Sequence, residues 1–324
     1  MKPNLTFKLI FAVILAFTVS VFVYFSFANV YSSVLFNPEN FQKQYYNGIY
    51  RYRILSSAML DSVYTLIQSL PVKNKVQTFL WDKSGDPVLY LSFAILNTFF
   101  TMLSAAVMVL ITESKNFVAS GSEKILLVVA SLFAIIITQF VIVPYDCSSY
   151  FFLLLFFAVL LKYMEKETWS TLAVLILIMV VSSLNRESSA LSISLAATLL
   201  FSKYGLHKKS ILPVFWLALS FMAVYFGVRI YFGVFSTNDS NLLFRNFTLY
   251  RNLFGILFWV VFFTLSIIIA KDKTAVRNIF VFHLFAIPYI LMCFYAGILY
   301  EARLYVPLFL TSLFLGRTAF QRIG

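Results

Sequence analysis

Long apolar runs, separated by short connections that hold most of the charge, leave this chain few ways to fold. Only 12% of its residues are charged while 61% are hydrophobic. Many runs approach the roughly 20 residues needed to cross a hydrocarbon layer of ~30 Å. Backbone amides in lipid must be satisfied within their own segment, and the ~10-residue in/out alternation of an outer-membrane barrel is absent. The expectation is an all-α, polytopic integral membrane protein with a single transmembrane domain over 1–324; a water-soluble fold is excluded.

About ten spans are predicted, at 7–30, 88–111, 125–143, 148–162, 168–184, 188–202, 211–232, 253–270, 279–299 and 303–318. The apolar run from Leu9 to Ala28, behind Lys2 and Lys8, is long for a signal peptide and has no small-x-small cleavage site after it, so it reads as a retained span. With the N-terminus inside, 14 of the 25 Lys and Arg residues fall in inner segments, and six of the outer 11 lie in one long loop. Basic residues in short loops set orientation, so both termini are expected on the cytoplasmic side of a bacterial inner membrane. Topology thus accounts for the inner lysines behind the net charge of +12, and nucleic acid is not an expected partner.

The long outer connection, 31–87, is expected to have structure of its own. Leu55, Met59, Val63, Leu66 and Leu70 recur at helical spacing opposite Arg53, Ser57, Asp61, Thr65 and Gln68. This predicts an amphipathic helix on the outer leaflet, ended by Pro71 and in contact with membrane lipid. A shorter piece, Val76 to Trp81, precedes the second span, and Asn241 to Arg251 reads as another outer segment with Asp239 or Ser240 as its N-cap.

Predicted spans four to six have about 15–17 residues, roughly 22–26 Å at 1.5 Å per residue. Lys162, Lys166 and Lys203 fix their inner ends, so the shortfall sinks Asp146 and the Arg186–Glu187 pair below the outer headgroups. Ionisable groups at that depth need a protein-lined cavity, a partner or a ligand. The candidate substrate-binding residues are therefore Arg51, Arg53, Arg186, Glu187, Glu301 and Arg303, since guanidinium groups grip phosphate or carboxylate at two points as an ammonium does not. Each also has a plainer reading: interfacial anchoring for Arg51 and Arg53, a polar hairpin turn for Arg186 and Glu187, a local ion pair for Glu301 and Arg303. Glu39, soon after the first span, and Asp146, in a sunken turn, are the candidate general bases. His207 and His283 fall on the inner side and support no histidine-dependent outer reaction. Cys147 and Cys293 lack metal-ligand or disulfide spacing, so neither a metal site nor a cofactor is indicated, with a need for a divalent ion left open.

The segments Tyr50 to Leu55 (YRYRIL), Asn185 to Ser188 (NRES) and Glu301 to Pro307 (EARLYVP) look like those of other bacterial membrane proteins. The layout, with its long first outer loop and outward-facing Arg and acidic residues, resembles the GT-C group of polytopic glycosyltransferases. That resemblance implies transfer of a sugar from a polyprenyl-phosphate-linked donor to a glycan or lipid acceptor on the outer face, in polysaccharide or glycolipid synthesis. GT-C enzymes commonly show a catalytic Asp or Glu, often paired, early in the first outer loop, where only Glu39 stands here. An O-antigen polymerase or ligase would use outer arginines on pyrophosphate lipids, and a transporter or flippase of lipid-linked sugars would show broken helices at the midplane. Sugar, acceptor and oligomeric state are not legible in these motifs.

Cysteine accessibility checks the orientation. His207→Cys should be shielded from an impermeant thiol reagent added outside and Lys73→Cys labelled by it; the opposite pattern overturns the cytoplasmic placement of the termini.

Overall fold

The computed structural model describes residues 4–28, 36–71, 80, 84–233 and 241–320. Lys73, Asp239, Ser240 and, apart from Leu80, the predicted piece at Val76 to Trp81 lie outside them. Among the described residues the chain is all-α. In order, the helices are α1 (Leu5–Val23), α2 (Pro38–Asn47), α3 (Ile54–Gln68), α4 (Pro87–Thr112), α5 (Gly121–Ile136), α6 (Asp146–Glu165), α7 (Trp169–Asn185), α8 (Ala190–Tyr204), α9 (Lys208–Phe232), α10 (Leu243–Thr248), α11 (Tyr250–Ile268), α12 (Lys273–Phe285), α13 (Ile287–Ala296) and α14 (Val306–Leu315). Single 3-10 turns occupy Ile49–Tyr52, Glu187–Ser189 and Ala302–Leu304.

Five helices, α1, α4, α6, α9 and α11, are long and apolar enough to cross a membrane, and α12 with α13 makes six if their 51° bend falls within one span. The expected ten is not met. Helices α5, α7, α8 and α14, with 16, 17, 15 and 10 residues, fall short of the ~30 Å core at 1.5 Å per residue. For α8 and α14 the physical reason is enclosure: every residue of α14 and most of α8 are buried against other helices. Their apolar sequence is interior packing, which hydrophobicity does not distinguish from contact with lipid.

Helices α4 and α6 form the centre, 67% and 61% buried over their most apolar stretch, whereas α1, α9 and α11 are 22%, 17% and 17% buried. The outer three present continuous apolar faces, such as Phe7, Ile10, Ile14 and Phe17 on α1, suited to hydrocarbon. Pro288 breaks the α12–α13 span, having no N–H for the preceding turn and a ring that crowds its carbonyls. His283 lies two residues before the end of α12, beside this break, packed on Trp259 and Phe263.

Charge collects at the two ends of the bundle. At one, Lys8 and Lys124 pair with Glu113 at 2.7 and 3.3 Å, Arg317 with Glu123 at 3.3 Å, and Lys209 with Glu167 at 3.2 Å, all open in part to water. The other end holds the candidate site and is partly roofed by α3. Towards the protein that helix buries Ser56, Ser57, Leu60 and Ile67, while Leu66 and Leu70 of the apolar stripe expected on the outer leaflet are 65% and 50% exposed. Docking on α4 and α7 selects the buried stripe, and two serines let the helices approach closely.

The far wall of the site is set by a knot of amides. Asn246 Nδ2 donates to the Phe294 and Gly297 carbonyls at 2.8 and 2.7 Å, and Asn252 Nδ2 donates to Asn246 Oδ1 at 3.0 Å while its own Oδ1 accepts from the Tyr300 N–H at 3.3 Å. Gly255 permits this contact, since a Cβ there would stand 1.7 Å from the Leu299 carbonyl oxygen. Gly255→Ala should therefore cost about 1–3 kcal/mol through forced displacement of backbone. Gly227→Ala, in open space on α9, should be neutral or stabilising by up to about 1 kcal/mol. Thermal unfolding in detergent compares the two, and equal midpoints for both variants contradict the assigned contact.

Candidate functional site

Helix ends supply the charges. Asp146 is the first residue of α6, Arg186 immediately follows α7, and Arg229 lies in the last turn of α9. A carboxylate at a helix N-terminus and cations at C-termini each sit at the pole that favours them. Arg53 precedes α3, and Arg303 occupies the 3-10 turn before α14.

Asp146 is fully buried and shared by two arginines: Oδ1 accepts from Arg186 Nη1, and Oδ2 accepts from Arg303 Nη1 at 3.0 Å. Arg303 also grips Glu301, with Nε and Nη2 donating to Oε2 at 2.9 and 2.6 Å. Tyr150 and Tyr289 hold the backbone beneath, their hydroxyls donating to the Arg303 and Leu304 carbonyls at 3.0 and 2.8 Å. Asn185 Nδ2 donates to the Tyr145 carbonyl at 3.3 Å and to Ser149 Oγ at 3.0 Å, fastening the end of α7 to the start of α6.

A second group adjoins across the Tyr145 ring, on which Arg53 and Arg186 lie with Cζ 3.9 and 5.0 Å from its centre. Arg53 Nε donates to Glu187 Oε2 at 3.1 Å, and Arg229 Nη2 is 3.7 Å from Glu187 Oε1. Arg229 rests between the Tyr225 and Tyr52 rings at 3.6 and 4.7 Å. Arg51 lies 4.7 Å from the centre of the Phe232 ring and donates to the Phe232 carbonyl at 2.9 Å, where Gly233 at φ +67 ends α9.

The end of the bundle thus brings together Asp146, Arg186, Glu301 and Arg303 in one ion-paired network, with Arg53 and Glu187 beside it and Arg51 at its margin. Glu39 stands apart. It is exposed in the first turn of α2, its N–H bonded to Asn37 Oδ1 at 2.9 Å, and it makes no ion pair among the described residues. Asp146 has both oxygens engaged by guanidinium groups, the geometry of an anchor more than of a base. Arg229 escaped the sequence reading because it falls inside an apolar span; a charge in that position was the available signal.

Other features are modest. Among the described residues no group of three or more His, Cys, Asp and Glu is placed to hold a metal ion. Cys147 and Cys293 are both buried and free. A cavity lined by Ser149, Ser182, Ser188, Ser189 and Ser192 holds ≈ 10 Å³, room for about one water and none for a sugar. The chain matches no family model, no curated protein and no solved structure.

Burial works to raise the Glu187 carboxyl, but Arg53, a hydrogen bond from its own backbone N–H and Arg229 together outweigh it and hold the group below the ordinary carboxylate range. A carboxyl lowered on folding stabilises the native state fully above its unfolded value of about 4.3, and that contribution is lost as pH falls through the lower folded value. Glu187→Gln should reduce stability by about 2–4 kcal/mol at neutral pH. The gap from wild type should stay constant from about pH 8 to 5 and close only in stronger acid. Thermal midpoints measured across pH give the readout; a gap that closes between pH 7 and 5 rules out this account of Glu187.

Proposed function

We propose that the protein is a membrane glycosyltransferase that moves a sugar from a polyprenyl-phosphate-linked donor to a glycan or lipid acceptor. In this reading the site faces outward from a bacterial inner membrane, with both termini cytoplasmic, and serves polysaccharide or glycolipid synthesis. One observation carries it: five guanidinium groups, Arg51, Arg53, Arg186, Arg229 and Arg303, gather around three carboxylates, Asp146, Glu187 and Glu301, at one end of an apolar bundle. The surplus of positive charge fits an anionic headgroup, and the exposed Leu66 and Leu70 of the adjoining α3 fit its tail.

The acceptor hydroxyl attacks the anomeric carbon as the bond from that carbon to the phosphate oxygen breaks and its electron pair passes to phosphate. Arginines aimed at that oxygen stabilise charge as it develops. The hydroxyl proton goes to a general base. Glu39 is the candidate with an uncommitted carboxylate, on a helix packed against the Ile49–Tyr52 turn that carries Arg51. Asp146 acts in this scheme by positioning Arg186 and Arg303. An O-antigen polymerase or ligase would draw on the same cation cluster. A transporter or flippase of lipid-linked sugars is the second reading, favoured by the 51° break between α12 and α13.

Purified protein in proteoliposomes, given a panel of polyprenyl-phosphate sugars and acceptors, should consume a donor and release polyprenyl phosphate. Glu39→Gln should slow turnover about 10²–10⁴-fold while donor binding persists. Movement of intact donor across the bilayer with no cleavage rejects the transferase in favour of the flippase.

A further inference from the structure

The cluster is not uniform in charge. Arg186 and Arg303 are matched by Asp146 and Glu301, so that half is neutral and its guanidinium edges are largely spent on carboxylate oxygens. Arg53 and Arg229 share Glu187, and Arg51, bonded to the Phe232 carbonyl, pairs with no carboxylate among the described residues, so this half keeps two positive charges. The geometry points to a subsite for a phosphate monoester dianion on Arg51, Arg53 and Arg229, with the Asp146 network as its neutral support. This rests on the transferase reading and narrows it.

Arg229 shows the clearest unspent capacity. It is 5% exposed, too buried to be an arginine snorkelling toward water, yet its Nε has no hydrogen-bond partner. Its Nη1 makes one long bond, 3.3 Å to the Tyr225 carbonyl, and Nη2 is 3.7 Å from Glu187, beyond hydrogen-bond length. All three arginines are held by aromatic faces: Arg229 by Tyr225 and Tyr52, Arg53 by Tyr145, Arg51 by Phe232. Stacking uses the face of a guanidinium and leaves in-plane N–H groups for planar two-point contact with an anion, while a ring cancels no net charge. Arg53 also stands at the N-cap of α3, where no side chain caps the first turn, so helix amides lie beside the same region.

The charge bears on the reaction. A polyprenyl-phosphate sugar is a phosphodiester with one negative charge; the leaving group is a monoester carrying about −1.5 to −2 near pH 7. A cluster with two surplus positive charges therefore favours the group as it departs over the bound donor, which is the difference that lowers a barrier. The ligand class is a phosphate monoester, lipid-linked or free.

The test is binding, measured by native mass spectrometry and fluorescence titration on the full chain in neutral phosphatidylcholine nanodiscs. The probes are polyprenyl phosphate, the diester phosphatidylglycerol and inorganic phosphate. Polyprenyl phosphate should bind about tenfold more tightly than the diester, and Arg229→Gln or Arg51→Gln should each weaken it about tenfold. Lys8→Gln, which breaks the pair with Glu113 at the opposite end of the bundle, should change it less than about threefold. Arg51→Gln, at the margin of the site, supplies the readout if Arg229→Gln fails to fold. Inorganic phosphate that displaces the lipid at equal strength identifies a soluble ligand, and failure to displace it a lipid-linked one; both outcomes support the subsite. Equal affinity for monoester and diester, wild-type affinity in Arg51→Gln, or a tenfold loss in Lys8→Gln overturns it. Binding without sugar transfer leaves the subsite standing and rejects the transferase, whereas full transfer by Arg229→Gln does the reverse.

Discussion

Asp146, buried between Arg186 and Arg303, is the contact on which the rest of this end of the molecule depends. It joins the start of α6 to residues 40 and 157 positions away in sequence. Placing a carboxylate in an apolar interior costs several kcal/mol unless its lone pairs are filled, and here both oxygens are taken by cations. Removing one member of such a group costs about 3–5 kcal/mol, whereas replacing the whole group by well-packed apolar residues is often neutral or stabilising. Bundle stability alone therefore gives no reason to keep these charges. Their effect is placement: Arg186 lies against Tyr145, whose ring also carries Arg53, and Arg53 holds Glu187 against Arg229.

Aromatic rings let so many cations stand together. Between the interleaved carboxylates, Tyr52, Tyr145, Tyr225 and Phe232 offer electron-rich faces where another protein would admit water. Each arginine is fixed in orientation without losing its charge. The opposite end of the bundle is built differently, from lysine–glutamate pairs on solvated connections, of the kind worth ~0–1 kcal/mol. One end closes loops; the other concentrates unspent donors.

Several of these features were legible in the sequence, and the failures have physical causes. Short apolar segments ending in Asp146 and in Arg186–Glu187 implied charge recessed among helices, because a segment too short for the bilayer must borrow its surroundings from protein. The same shortness should have lowered the span count, yet α8 and α14 read as membrane-crossing because hydropathy does not report what covers a helix. For α3, periodicity gave the helix and its apolar stripe; the burial of Ser56 and Ser57 comes from close approach to neighbouring helices, a property of the partner surface. Arg229 was hidden by its apolar neighbours. Glu39 drew attention from its place in the chain, and it stands exposed, apart from the ion-paired network.

The bend between α12 and α13 has two readings, since a broken span is a feature of carriers and also a way to aim a loop. The chain beyond the bend separates them. There α13 leads into a connection held by Asn246 and Asn252, by the close approach at Gly255 and by the Tyr289 hydroxyl, all within reach of Glu301 and Arg303. A carrier must release its binding groups as it turns, and release here would expose an unpaired Asp146 in the interior along with the freed amides. A transferase needs the contrary, donors fixed in advance where charge will develop, so that none of the cost of orienting them falls on the reaction step. The dense anchoring of Arg303 therefore makes this half a fixed support for the neighbouring arginines, an arrangement that alternating access would have to dismantle.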